Sequence, residues 1–364
     1  MKKIVSGLAF LMCLLVAQGQ NSDLLISNVN YVDVENGRIK QGTILISNGK
    51  ISAIKKRIKT TNQAQQIDGS GKWLIPGLID GHIHMFQSGG IYTRPDAINL
   101  QEYRSYDDEI KWVQENAGDI LKRYLKIGIT TVVDPGGPMS NFKIRDRLKN
   151  SNNHASLLLA GPLISTYQPQ AFQIDDPPIV KVNNEQEAID LIRKQLPYKP
   201  DFIKIWYIVL RDQTAESSYD IISAAIKESH KNNLKVAVHA TQLKTAKLAI
   251  KAGADILVHS VDEPIDKEFI ELVVKNKVTY MPTLMVHGKY VEVFNKKPIF
   301  SAEDFLFSNP YPLGSLMDPE HLPEGNDLDS FKSYLPRINQ NLKKEDSIRD
   351  INLKKVYRVW KCYL

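Results

Sequence analysis

Four of the eight histidines in the chain close short apolar runs of the kind that form buried β-strands. His82 and His84 end the run that begins at Leu74, and His239 and His259 each end a later one. Side chains two residues apart on a strand project to the same side, so both imidazoles of His82-Ile83-His84 face one way. Neutral imidazoles on a rigid wall suit Zn²⁺ and similar ions. The pattern predicts a metal site, although a lone His-x-His pair is as often two ordinary polar residues leaving a strand.

Lys204 is the second unusual residue, because it stands in the middle of the apolar run Phe202-Ile203-Lys204-Ile205-Trp206. An unpaired ammonium in such a strand is costly, so the group needs a partner or must lose its charge. One interpretation is an ion pair with Asp134 or another carboxylate of the fold. The other is carboxylation of the amine by CO₂, which gives an anion able to bridge two metal ions.

The elements that must position these residues alternate along the second part of the chain, where short apolar runs are separated by helix-like segments. The predicted strands are Leu74–His84, Ile129–Asp134, Ser156–Gly161, Phe202–Tyr207, Lys235–His239, Asp255–His259 and Val278–Pro282. Seven such units predict an α/β fold, a (β/α)8 TIM-type barrel whose functional residues gather at the carboxyl ends of its strands. The rival is a doubly wound sheet, but it needs a glycine-rich phosphate loop, which Gly81-His82-Ile83-His84 is not.

Residues 20–73 show a different pattern, of short strands separated by turns. Asn36-Gly37 and Asn48-Gly49 stand between apolar runs, and an Asn-Gly pair in that setting is the strongest short signal for a β-hairpin. We expect a small antiparallel β domain of the sandwich type here, followed by the barrel domain at residues 74–364.

Residues 1–19 are predicted to be a signal peptide. Lys2 and Lys3 precede the apolar run Leu8–Ala17, and Ala17 and Gly19 supply the small residues that a signal peptidase reads. The run is about half of the ~20 residues that span a bilayer, so we expect export to the periplasm or exterior without a stable membrane anchor. Cys362 is then the one cysteine left, which excludes an intrachain disulfide.

Composition narrows the class of protein. The 364 residues are 43% hydrophobic and 24% charged, values typical of a soluble globular chain. The net charge of +6 comes from scattered basic residues. The densest basic cluster, Lys55-Lys56-Arg57, is typical of a solvated strand edge, so no nucleic-acid partner is predicted.

Together the motifs resemble those of the amidohydrolase superfamily, from Leu24 to about Tyr357. Within it, the sequence is most similar to secreted metal-dependent hydrolases of the imidazolonepropionase and Xaa-Pro or arginine dipeptidase-like branch. The resemblance is carried by Ile67-Asp68-Gly69-Ser70-Gly71-Lys72, Pro76-Gly77-Leu78-Ile79-Asp80-Gly81-His82-Ile83-His84, Gly128-Ile129-Thr130-Thr131-Val132, Phe202-Ile203-Lys204-Ile205, Val238-His239-Ala240 and Val258-His259-Ser260.

The resemblance implies a ligand set for one or two divalent ions, with Zn as the expected metal. His82 and His84 would hold the more buried ion, carboxylated Lys204 would bridge the pair, and His239 and His259 would hold the second ion. A bridging hydroxide would attack the carbonyl of an amide, peptide-like or cyclic amide bond. If Lys204 is unmodified, a one-metal version remains, in which His82, His84 and His239 bind the ion and His259 orients the substrate.

The family pattern also requires an aspartate after an eighth barrel strand, to bind the first ion and move the proton to the leaving amine. No such Gly-Thr-Asp-like run follows Val278–Thr283, so the catalytic acid or base is unassigned. Read one base later, the codons from Trp360 on give Gly, then Asn or Ser, so we hypothesise a frameshift within Tyr357–Val359. The alternatives are a chance tail on a truncated relative and, for function, an inactive remnant that binds metal or ligand without turnover.

The substrate is expected to be a small molecule or dipeptide-like. Arg94 and Arg211, each in a loop after a strand, are candidates to clamp a carboxylate, although surface arginine is the commoner role. Tyr207, three residues after Lys204, is a candidate to contact a substrate carbonyl or to pack. The segment from Val286 to about Lys344 is predicted to form a lid over the barrel mouth. The sequence leaves the oligomeric state open.

Overall fold

The structure, a computed structural model, describes residues 23–59, 64–210, 212–284 and 286–332, together with residues 348, 351, 352 and 354. Its contacts divide the chain into two compact units, and the boundary between them in the sequence lies between Gly77 and Leu78. Among the described residues, no helix is both long and apolar enough to cross a membrane. The predicted signal peptide and the predicted frameshift region lie outside the described residues.

The first unit is a five-stranded sheet. Its strands are β1 (Leu24–Asp33), β2 (Arg38–Ser47), β3 (Lys50–Lys55), β4 (Gln65–Asp68) and β5 (Trp73–Leu74). The order is β3-β2-β1-β4, and β5 also pairs with β1. Both predicted hairpins are confirmed, since β1–β2 and β2–β3 are antiparallel and are joined at the two Asn-Gly pairs.

Asn48 and Gly49 both have positive φ, 53° and 71°, as the tightest hairpin turn requires. The prediction of a wholly antiparallel domain is wrong, because β4 and β5 run parallel to β1. Between β4 and β5 the chain continues in the same direction along β1 and passes Gly69, whose N–H donates to the Ser27 carbonyl at 2.7 Å. A Cβ on Gly69 would lie 2.7 Å from the Cβ of Val29, so glycine permits this close approach.

The second unit alternates parallel strands with helices. Its strands are β6 (Leu78–Asp80), β7 (Ile129–Asp134), β8 (Ser156–Leu159), β9 (Leu163–Ser165), β10 (Ile179–Lys181), β11 (Ile203–Trp206), β12 (Val236–His239), β13 (Ile256–Val258) and β14 (Thr279–Met281). Its helices are α1 (Tyr106–Lys126), α2 (Asn141–Leu148), α3 (Glu185–Gln195), α4 (Tyr219–Lys231), α5 (Leu243–Ala252), α6 (Lys267–Lys275), α7 (Val286–Phe294), α8 (Ala302–Phe307), α9 (Pro310–Ser315) and α10 (Asp327–Lys332). The predicted α/β barrel-type fold is confirmed.

The parallel strands form two runs, β6-β7-β8 and β10-β9-β11-β12-β13-β14. The break falls at the end of the third predicted strand, Ser156–Gly161: β8 pairs with β7, whereas β9, which follows that range, pairs with β11. Pro162 lies between β8 and β9, and a proline cannot donate a ladder hydrogen bond. Among the strands of the described residues, β6 and β14 end their runs without an outer neighbour.

The core between the strands and the outer helices is built from alternate strand residues. Ile203 and Ile205 of β11 and Val236 and Val238 of β12 are fully buried and pack with residues of α4 to α6. Strand residues of the opposite parity, such as Ala237, face the inside of the barrel. This alternation leaves the interior positions at the strand ends for polar side chains.

The long segment after β14 is anchored to the barrel rather than free. Phe294 and Leu328 pack with Ile91 and Leu100 in one buried cluster. The buried carboxylate of Glu109 also accepts hydrogen bonds from the hydroxyls of Ser88 and Tyr311, both at 2.8 Å. Within the segment that was predicted to form a lid, α7 contributes Val286 and Tyr290 to the lining of a cavity at the carboxyl ends of the barrel strands. The cavity lining includes no residue of α8, α9 or α10.

Candidate metal centre

The five predicted metal-binding residues line one cavity at the carboxyl ends of the strands. The cavity has a volume of about 840 Å³. The residues are His82, His84, Lys204, His239 and His259. Lys204 lies within β11, and the four histidines lie at or shortly after the ends of β6, β12 and β13. These strands are distant in sequence, so the barrel itself brings the five residues together.

His82 and His84 are spaced as two ligands of one ion. Their Nε2 atoms lie 3.3 Å apart, and two nitrogens about 2.05 Å from a tetrahedral Zn²⁺ would be about 3.3 Å apart. His84 Nδ1 lies 2.9 Å from the Gly136 carbonyl oxygen. Because a carbonyl can only accept, Nδ1 carries the proton and Nε2 keeps its lone pair. The spacing of the two nitrogens therefore suits two ligands of one ion.

His239 and His259 form a second pair beside the first. Their ring centroids are 4.5 Å apart, and the His259 ring lies 4.8 Å from that of His82. His259 has a left-handed backbone, with φ of 76°, a conformation that costs about 1–3 kcal/mol outside glycine. Its N–H donates to the Met281 carbonyl, and its Nδ1 lies 2.7 Å from the Thr283 hydroxyl. Both contacts hold the imidazole toward the cavity.

Among the residues that the structure describes, the buried Lys204 amine has no hydrogen-bond partner. The side chain is 1% exposed, and burial lowers the pKa of the amine to about 7 although the charge of Asp134 acts to raise it. No ion pair joins Lys204 to Asp134, so the structure does not support that interpretation. An amine with this pKa is largely neutral at pH 8, and the neutral amine is the form that reacts with CO₂.

Burial also keeps the imidazoles of His82 and His259 neutral. It lowers the pKa of both His82 and His259 far below the usual histidine range, and the nearby imidazoles and Lys204 add to the effect. Neutral imidazole is the metal-binding form. Within the described ranges, no three His, Cys, Asp or Glu side chains are already grouped around one ion position. The arrangement is instead two adjacent imidazole pairs that line the same cavity as Lys204.

Asp134 supports the first pair from behind, a role that the sequence reasoning missed. Its carboxylate is fully buried at the end of β7, with one oxygen 3.5 Å from His84 Nδ1. The other oxygen accepts the Met85 N–H at 3.2 Å and the Asn141 amide at 3.0 Å. A carboxylate behind a histidine fixes the ring and makes it a stronger ligand. The position at the end of the apolar run Ile129–Asp134 was the available signal.

Replacing Asp134 with asparagine is expected to weaken zinc binding about tenfold or more, because an amide keeps the shape but removes the charge behind His84. Competition against a chelator of known affinity measures this change. Asp201→Asn is the matched control, since Asp201 accepts the Leu159 N–H at 2.9 Å but does not line the cavity. Equal zinc affinity in both variants would remove Asp134 from the site.

The predicted substrate-side residues have different outcomes. Arg94 lines the cavity. Tyr207 does not line it and has the packing role of the two alternatives: its ring is 2% exposed within the outer core and its hydroxyl donates to the Ala215 carbonyl. Tyr207 has the opposite strand parity from Lys204, whereas Trp206, which the sequence reasoning passed over, shares that parity and lines the cavity. Arg211 lies outside the described residues.

Known proteins match this chain in sequence and in fold. The model of the amidohydrolase family matches residues 73–309, which is more than half of the chain. A dihydroorotase of Carboxydothermus hydrogenoformans is 42% identical over 76 residues, covering 21% of this chain and 17% of that protein. An adenine deaminase of Desulforamulus reducens is 40% identical over 72 residues, covering 19% of this chain and 12% of that protein. The chain thus matches less than a fifth of the length of these curated relatives.

A solved structure of an Xaa-Pro dipeptidase with bound methionine in the active site shares the fold. It superposes with a TM-score of 0.60 at 19% sequence identity, over 91% of this chain and 89% of the other. At this identity the likeness concerns the fold alone.

Proposed function

The chain belongs to the amidohydrolase family, and from that premise we propose that it is a metal-dependent hydrolase of carbon–nitrogen bonds. Members of this family generally use divalent metal ions. The observation that carries the proposal is that two imidazole pairs share one cavity with a buried lysine amine that has no hydrogen-bond partner among the described residues. This is a costly arrangement for a structural cluster and a suitable one for metal ligands.

In this proposal His82 and His84 would hold one zinc ion, His239 and His259 would hold a second, and carboxylated Lys204 would be a ligand shared by the site. When bound, the metal supplies Lewis acidity and activates water for attack on a carbonyl. The one-metal version uses His82, His84 and His239, with His259 orienting the substrate. In either version the chain's own contribution is positioning, because Gly136, Asp134 and Thr283 fix the ligand rings.

The remaining lining residues orient the substrate and exclude water. Phe86 and Trp206 lie against the ligand imidazoles, with ring centroids 5.3 Å from His84 and 5.8 Å from His239. A dry wall beside the ligands strengthens electrostatic interactions at the reacting bond. Small molecules and dipeptide-like compounds with an amide, peptide-like or cyclic amide bond are the proposed substrates.

A second candidate function is binding of metal or ligand without turnover. It is favoured by one observation: among the described residues no strand follows β14 in the barrel, so they do not supply the aspartate expected there to move a proton. Loss of such a group typically lowers the rate by about 10²–10⁴. Export, proposed from the sequence of residues 1–19, applies to both candidates.

Zinc-loaded protein assayed on a panel of N-acyl amino acids, dipeptides and cyclic amides tests the proposal. We expect amine release from at least one class, loss of that activity after chelation and recovery when zinc is returned. The chelated protein is the control. Stoichiometric zinc binding with no turnover of any member would favour the second candidate. No zinc binding would contradict the hydrolase proposal and the metal-binding form of the second candidate.

A further inference from the structure

The cavity has an apolar wall that begins directly beside the metal-binding imidazoles. This wall consists of Phe86, Leu163, Phe172, Ile179 and Trp206. Phe86 also stacks edge-on against Phe172, with centroids 6.3 Å apart, so its ring is held on both sides. Four of the wall residues belong to one buried cluster and Trp206 packs against it. A rigid aromatic wall favours a bulky apolar or aromatic group on the ligand.

Arg94 lines the same cavity, but its charge is already matched within the chain. Its Nε and Nη2 donate to the two carboxylate oxygens of Asp96, both at 2.8 Å, and its Nη1 donates to the Tyr290 hydroxyl at 2.6 Å. This is the two-pronged pairing in which a guanidinium and a carboxylate satisfy each other best. Arg94 therefore presents a neutral pair to the cavity rather than a free cation.

The other described lining residues offer no alternative cation. Lys204 is assigned to the metal centre, and the remaining polar groups include the neutral side chains of Gln87, Thr241 and Thr283. The carboxylate of Asp80 also lines the cavity and would repel an anion. A free carboxylate distant from the metals consequently has no unmatched positive partner among these residues, whereas an uncharged amide meets hydrogen-bonding groups and an apolar wall.

We propose that the cavity takes uncharged amides bearing an aromatic or bulky apolar group, and that Asp96 determines this preference by neutralising Arg94. The inference rests on the proposed hydrolase function and narrows its substrate class. It assigns to Asp96 a role in specificity: the residue keeps Arg94 from recognising a substrate carboxylate.

Two ligands without a carbon–nitrogen bond separate binding from turnover: 4-phenylbutan-2-one, which is neutral, and 3-phenylpropanoate, which carries a carboxylate on the same scaffold. Calorimetry with zinc-loaded protein measures both. A carboxylate can also reach a bound metal, but that contribution is shared by all variants, so the comparison rests on how each affinity changes with the protein. Butan-2-one, which lacks the ring, is expected to bind about tenfold more weakly than the phenyl ketone.

Asp96→Asn frees the guanidinium, so we expect it to tighten 3-phenylpropanoate about tenfold while the ketone changes less than about twofold. Asp119→Asn, which breaks the half-buried pair with Arg123 outside the cavity, should change neither. The double variant Arg94→Gln/Asp96→Asn removes both charges and keeps the site neutral, so it should bind both ligands as the wild type does. It also serves if Asp96→Asn does not fold.

A tenfold loss of 3-phenylpropanoate affinity in the double variant would overturn the proposal, since it would mean that Arg94 already clamps carboxylates. Equal binding of butan-2-one and the phenyl ketone would also overturn it, by removing the apolar wall as a subsite. Because neither ligand is hydrolysed, an absence of turnover elsewhere leaves these outcomes readable and would count against the hydrolase function alone.

Discussion

Replacing both His82 and His84 with asparagine should abolish stoichiometric zinc at the first metal position and lower kcat/KM by about a thousandfold or more. The physical reason is the 3.3 Å spacing of the two Nε2 atoms, which suits two ligands of one ion. Asparagine is shorter and offers an amide in place of a ring nitrogen, so neither ligand can be replaced. Elemental analysis after dialysis gives the zinc content, and the turnover assay gives the rate.

The matched control is His230→Asn/His321→Asn, which makes the same two replacements at histidines that do not line the cavity. His230 pairs with Asp255 at 2.9 Å, and His321 is exposed. Zinc content should equal that of the wild type in this control. If the His82/His84 variant also kept its full zinc content and circular dichroism spectrum, the assigned ligand set would be wrong.

Strand parity explains how much of the site could be predicted from the sequence. The residues of His82-Ile83-His84 alternate, Lys204 lies opposite the buried Ile203 and Ile205, and His239 shares its parity with the inward Ala237. The same rule, applied to Tyr207, would have excluded it and selected Trp206. Parity is a local property of extended backbone, so these inferences needed no knowledge of the fold.

The orientation of the His259 side chain could not be predicted from strand parity. Val258 packs inside the barrel and Leu257 packs outside, so simple alternation would turn His259 away from the cavity. The residue lines the cavity because its φ of 76° breaks the alternation at the strand end. Contacts with Met281 and Thr283, about twenty residues further along, hold this backbone. No pattern within the strand encodes it.

Long-range pairing was likewise beyond the sequence. The parallel course of β4 and β5 depends on a crossover that local propensity does not specify. Glu109 accepts hydrogen bonds from Ser88 and from Tyr311, which are far apart in the sequence. The neutralisation of Arg94 by Asp96 is local, but strand and helix patterns do not reveal which loop charges pair.

Lys204→Met is expected to lower the zinc content from about two ions per chain to at most one, and to lower kcat/KM by about a thousandfold. The same substitution is expected to stabilise the metal-free protein. Methionine fills a similar volume without a buried polar group. An unpartnered buried donor costs about 1–3 kcal/mol, so the free energy of unfolding should rise by about that amount at pH 7. Urea unfolding after chelation measures it. Lys235→Met, at an exposed position on the same barrel, should leave zinc, rate and stability near wild type.

The stabilisation expected for Lys204→Met should depend on pH. Burial lowers the pKa of Lys204 to about 7, whereas the unfolded chain keeps a value of about 10.4. Between these values the unfolded state binds more protons, so the unfolding free energy of the metal-free wild type rises with pH. The advantage of Lys204→Met should therefore shrink from pH 7 to pH 9. A lysine with a structural ion pair would behave in the opposite way, because its loss would destabilise the protein at pH 7. A destabilised variant that keeps two zinc ions would therefore exclude Lys204 from the metal centre.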